Sequence, residues 1–134
     1  MRRALYIPGL VLGLSLAANG AMAQTSTAAW QSTPASVLKT VLRNVVAAQD
    51  KYRATHATFA ASVEALRLKP GSEVKVQITR ATESGWRAKA SHRTRRGRSC
   101  VVFVGGLAGV EAPRTDRDGE MAGEERVPLC DRME

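Results

Sequence analysis

Histidine, cysteine and aromatic residues are all scarce in this chain of 134 residues, which has two His, two Cys, and two each of Trp, Tyr and Phe. No serine stands in a nucleophile elbow and no HExxH pair occurs. The glycine-rich stretch 105–109 lacks the following helix that a phosphate-binding loop needs. A small hydrolase would have to gather His56 or His92 with a carboxylate from a distant part of the chain. These absences favour a non-enzymatic protein. Long apolar runs are missing as well: the single apolar stretch, residues 4–18, is interrupted by Pro8 and Gly9 and falls short of the roughly twenty residues of a membrane span.

That short run instead has the order of a secretory signal. Arg2 and Arg3 form a positive start, the apolar stretch follows, and Ala21, Met22 and Ala23 give the small-x-small pattern of a cleavage site. Cleavage between Ala23 and Gln24 is expected, giving a periplasmic or secreted protein. With no cysteine after the site to carry a lipid, no stable membrane anchor is expected after cleavage. Losing Arg2 and Arg3 lowers the formal charge from +8 to +6 and leaves 111 residues, enough for one domain with a modest core. Cys100 and Cys130 are an even pair in an exported chain, which favours a disulfide over two free thiols, metal ligation or redox chemistry.

Residues 24–33 are rich in Ser, Thr and Ala and read as a polar linker. Thr33 offers an N-cap hydroxyl and Pro34 suits a first helical turn. Leu38, Val41, Leu42, Val45, Ala48, Gln49 and Tyr52 then recur at three- and four-residue spacing, predicting one amphipathic helix that ends near Thr55. Ser62 can cap a short helical turn carrying Val63, Leu66 and Leu68. From residue 74 the period changes to two. Val74, Val76 and Ile78 alternate with Lys75, Gln77 and Thr79, and after a turn at Glu83, Ser84 and Gly85 the residues Trp86, Ala88 and Ala90 alternate with Arg87, Lys89 and Ser91. This predicts an antiparallel hairpin. Residues 100–104 are apolar and β-branched, as in a central strand packed on both faces. A last strand over 126–130 would return beside it and close the disulfide.

The expected fold is α+β: one long N-terminal amphipathic helix packed on a four-stranded antiparallel meander, with a C-terminal loop closed by a disulfide. The helix through Gln49 and Tyr52, the aromatic Phe59, the later Leu66, the hairpin ending in Gly85 and Trp86, and the Cys100 and Cys130 pair together give an order that resembles the globular headpiece of type IV pilins and pseudopilins. The likeness covers residues 34–130, within a domain of 34–134. It implies a structural or interaction component of the cell envelope, or of a filament-associated system, with protein partners. The prepilin leader and the polymerising hydrophobic helix are not seen, so assembly by the usual pilin route is not implied.

Two stretches could carry chemistry. Arg93, Arg95, Arg96 and Arg98, with His92 adjoining, put four guanidinium groups within six residues. Such a loop could hold nucleic acid, lipid phosphate or an acidic polysaccharide, because the guanidinium fork donates paired hydrogen bonds to oxyanions and keeps its charge. No aromatic interleaves with these arginines to stack on bases, and the competing reading is a loop kept solvated by its charge. In residues 114–125, Asp116, Asp118, Gly119, Met121 and Glu125 occupy the third, fifth, sixth, eighth and twelfth places of a calcium loop. The first place holds Arg114 rather than an aspartate. The competing reading is a glycine-rich surface loop, and no cofactor is expected.

Overall fold

The computed structural model of the chain describes residues 32–134. The expected signal sequence, its Ala23 and Gln24 cleavage site, and all but the end of the linker lie outside the described residues.

The helix α1 spans Pro34–His56. It starts where the sequence can satisfy its open amides: the Ser36 N–H donates to Thr33 Oγ1 at 3.1 Å, with Pro34 in the first turn where an N–H is not needed. It ends at Ala57, which adopts a left-handed φ of 57° and donates its N–H to the Arg53 carbonyl at 3.2 Å. Arg53 and His56 sit in the last turn, at the negative pole of the helix. The cap fixes a start at Pro34, so α1 is the first described element and not the amino terminus of the chain. Leu38, Leu42, Val45, Val46 and Gln49 form its buried face.

Four antiparallel strands follow, β1 (Val74–Ala81), β2 (Gly85–His92), β3 (Cys100–Gly105) and β4 (Leu129–Cys130), in the sheet order β1-β2-β3-β4. The alternation in β2 sends Trp86, Ala88 and Ala90 to the face covered by α1, where all three are fully buried with Leu38, Leu42 and Val45. The small alanines let the helix lie close over β2 and β3. Arg87 and Lys89 point to the opposite face and are held there by the returning chain: Arg87 Nη1 donates to the Glu111 carbonyl at 2.7 Å, and Lys89 pairs with Asp116. Val101 and Val102, on opposite faces of β3, are both fully buried, as expected of a central strand.

The β2–β3 crossing at the hairpin end requires glycine at 105. Its φ is +72°, and a Cβ there would stand 2.2 Å from the Ser84 carbonyl oxygen. Residues 63–67 form the expected short turn: the Ser62 hydroxyl accepts the Ala65 N–H at 3.2 Å, and the Leu66 and Arg67 N–H groups donate to the Val63 and Glu64 carbonyls at 3.1 and 3.0 Å. The elements differ from the sequence expectation in one place. The last strand is two residues, not five, because Pro128 has no N–H to give the ladder and Arg126 takes a left-handed φ of 69°. It still pairs Cys100 with Cys130 in register, and the two are disulfide-bonded. Among the described residues no helix is long and apolar enough to cross a membrane.

Candidate functional site: a basic groove beside the β2–β3 loop

The arginine loop connects β2 to β3 and is built from two turns, with Arg95 N–H donating to the His92 carbonyl at 2.9 Å and Arg98 N–H to the Arg95 carbonyl at 3.3 Å. The four arginines divide into two kinds. Arg93 is anchored to the start of β1, its Nη2 lying 2.7 Å from Glu73 Oε1. Arg95 is half-buried and holds the C-terminal segment, donating from Nε to the Met133 carbonyl at 2.7 Å. Arg96 and Arg98 have no carboxylate partner among the described residues.

These last two face a groove of about 440 Å³ that Lys75, His92, Arg93 and Asp116 also line. Lys75 lies on the exposed face of β1 and is brought beside the loop because Lys75 pairs with Ser91 across the hairpin. It was not singled out in the sequence as a partner of the arginines, from which it is separated by a strand and a turn. The two carboxylates at the groove are already engaged, Glu73 with Arg93 and Asp116 with Lys89. Lys75, Arg96 and Arg98 therefore leave an excess of positive charge there. His92 also borders the groove, its Nδ1 lying 3.3 Å from the Thr94 backbone N and 2.8 Å from Thr94 Oγ1. The other histidine, His56, stacks on Tyr52 with ring centroids 3.9 Å apart at the end of α1, and its Nδ1 is 2.7 Å from Thr55 Oγ1.

The candidate calcium ligands do not converge. Asp116 pairs with Lys89, Asp118 Oδ2 accepts the Arg132 N–H at 3.0 Å, and Glu125 Oε1 accepts the Gly105 N–H at 2.6 Å. Among the described residues no group of three or more His, Cys, Asp or Glu is placed to hold a metal ion. Arg114, at the place of the first ligand, donates to the Gly119 carbonyl at 3.0 Å.

The segment is organised around an anion instead. Asp131 is 3% exposed and accepts from Ser99 N–H at 2.8 Å, Arg117 N–H at 3.0 Å and Asp118 N–H at 2.8 Å. Burial by itself would raise the Asp131 carboxyl, but the hydrogen bonds from the Asp118 amide, the Thr115 hydroxyl and the Arg117 and Ser99 amides outweigh it and hold the group below its ordinary value. Converging amides around a carboxylate are the opposite of a calcium cage, whose ligands are oxygens. A second buried polar hub is Gln49, which the helical spacing places on the buried face of α1 but whose bonds to Ala60 the sequence does not show. Its side chain is fully buried and bonds Ala60 twice, donating from Nε2 to the carbonyl and accepting the N–H at Oε1, both at 2.8 Å.

No protein-family model matches the chain, and neither does any curated protein. The disulfide points to an oxidising compartment outside the cytoplasm.

Proposed function

We propose that this is an exported, non-enzymatic domain with a pilin-like headpiece, periplasmic or secreted, that serves as a structural or interaction component of the cell envelope or of a filament-associated system. The observation that supports it is the arrangement of one helix across an antiparallel meander whose C-terminal segment is bound to the third strand by a disulfide. Its action is through surface contacts with protein partners. The test is site-specific photo-crosslinking in cells from the exposed helix positions Arg43 and Lys51, with mass spectrometry of the products. Crosslinks to envelope or filament proteins are expected. A chain that is recovered uncrosslinked from every fraction overturns the reading.

A second reading, polyanion binding, is favoured by Lys75, Arg96 and Arg98 standing around one groove whose two carboxylates, Glu73 and Asp116, are paired with Arg93 and Lys89. It predicts retention on heparin or DNA that falls steeply with salt. Retention that is unchanged when Lys75, Arg96 and Arg98 are all replaced by serine overturns it.

A further inference from the structure

β1 is the open edge of the sheet. It spans eight residues and among the described residues pairs only with β2, whereas the opposite edge, β4, is cut to two residues after Pro128. The direction of its backbone groups follows from the ladder. The Glu73 carbonyl accepts the Arg93 N–H at 2.8 Å, and the register sets Lys75 opposite Ser91 and Gln77 opposite Lys89. An antiparallel ladder bonds every second residue, so Lys75 and Gln77 bond β2 while the N–H and C=O of Val76 and Ile78 turn away from the sheet. Among the described residues, Val76 and Ile78 make no backbone hydrogen bond with any other segment.

An open edge is a template for an added strand, and proteins blunt such edges with proline, shortness or charge. β1 has no proline, and its register is regular up to the irregularity between Ile78 and Arg80. The segment 61–64 runs beside this edge without bonding to it and leaves a groove of about 440 Å³ lined by Val63, Glu64, Lys75, Val76, Gln77 and Ile78. The alternation of β1 fixes what an added strand would carry: residues opposite Val76 and Ile78 share the apolar face, and residues opposite Lys75 and Gln77 share the exposed one.

Charge selects the occupant. On the exposed face, Lys75 and Arg80 have no carboxylate partner among the described residues, and Arg80 stands opposite Arg87 across the hairpin, a like-charge pair. Glu64 is the one acid that lines the groove. A second copy of β1 would add further cations to a chain that is already basic, whereas a strand bearing carboxylates would offset them.

We propose that the edge of β1 is a docking site for an extended acidic segment of a partner protein. The segment adds a fifth strand to the sheet, bonding Val76 and Ile78 through its backbone, with carboxylates beside Lys75 and Arg80 and apolar side chains on the face of Val76 and Ile78. The inference rests on the reading of the domain as one that acts through protein contacts, and gives one such contact a place and a geometry.

Amide nuclear magnetic resonance of the full chain tests it, with the blocked heptapeptide acetyl-Glu-Val-Thr-Val-Glu-Val-Glu-amide as the probe. In the free chain the Val76 and Ile78 amides should exchange with solvent at least about tenfold faster than those of Lys75 and Gln77. The peptide should shift and protect both outward amides saturably. The same peptide N-methylated at its three central residues, which keeps the charge and removes donors, should do neither. Val76→Pro, which removes an N–H that β2 does not use, should weaken the peptide at least about tenfold, and Lys75→Glu should weaken it several-fold; the remaining amide spectrum reports whether each variant is folded. Outward amides that ignore the peptide, or respond equally to the methylated one, overturn the proposal. So do outward amides already protected in the free chain, which would mean that another segment of the chain covers the edge, and protection that grows with protein concentration, which would mean a second copy. Crosslinks from Arg43 and Lys51 without peptide binding at the edge would leave the broader reading standing and refute this one.

Discussion

Gln49 occupies a position on the apolar stripe of α1 where leucine would satisfy the pattern, and its amide does what leucine could not. By bonding both backbone groups of Ala60, it gives the chain after the helix a partner in place of water. Gln49→Leu keeps the volume and the apolar stripe but orphans a buried N–H and a buried carbonyl. At about 1–3 kcal/mol for each orphaned group, a loss of roughly 2–6 kcal/mol is expected by urea denaturation. A loss below half a kcal/mol would mean that solvent reaches Ala60. Asp131 gives a residue-scale effect that depends on pH. Its carboxyl is held below its unfolded value, so its contribution is fully present above that value, about 3.9, and is lost as pH falls through the lower folded value. Stability measured as a urea midpoint should therefore fall on acidification below about pH 4. Asp131→Asn should be less stable at neutral pH by about 1–3 kcal/mol and should show a shallower acid slope. Parallel slopes in the two proteins would exclude Asp131 as a source of the acid sensitivity.

At the scale of elements, the β2–β3 loop is two structures in one. Arg93 and Arg95 are fasteners, one to β1 and the other to the C-terminal segment, while Arg96 and Arg98 share a groove with Lys75. Arg95→Ser should therefore cost about 1 kcal/mol of stability by releasing Met133 and barely change the salt at which the protein leaves heparin. Replacing Lys75, Arg96 and Arg98 by serine should do the reverse, leaving thermal stability nearly unaltered and moving elution to lower salt. The two variants read out in opposite assays, so exchanged outcomes would refute the division. The elements themselves were largely legible. Leu38, Leu42, Val45 and Gln49 announce the buried face of α1 by their spacing, and the alternation of Trp86, Ala88 and Ala90 announces the buried face of β2, because both periods are properties of local geometry. The last strand was less so. Arg126 breaks the ladder through a left-handed conformation that its sequence gives no reason to adopt, held by a bidentate pair to Asp50 on α1, at 2.8 and 3.1 Å.

For the molecule as a whole, the closing bond is the disulfide that joins β3 to β4 across a separation of 30 residues. In the chain-entropy model a loop of that length is worth about 3–4 kcal/mol. The double variant Cys100→Ala and Cys130→Ala should melt well below the oxidised protein, by roughly 12–30 °C for a domain of this size, and the oxidised protein should lose a similar amount on reduction. Equal melting temperatures would show that the hydrogen bonds around Asp131 alone hold the C-terminal segment. The sequence by itself determined the kinds of element, their order and the cysteine pairing, along with the basic character of the loop and the expectation of export. These follow from near-neighbour periodicity, composition and a count of two cysteines. Only the tertiary structure decided which charges pair, that Lys75 joins the arginines, and that Thr115 and the amides of Ser99, Arg117 and Asp118 converge on the Asp131 carboxylate. Each of these depends on groups distant in the chain meeting within a few ångströms. Coulomb and hydrogen-bond energies act across that space, and the order of residues along the chain does not record it.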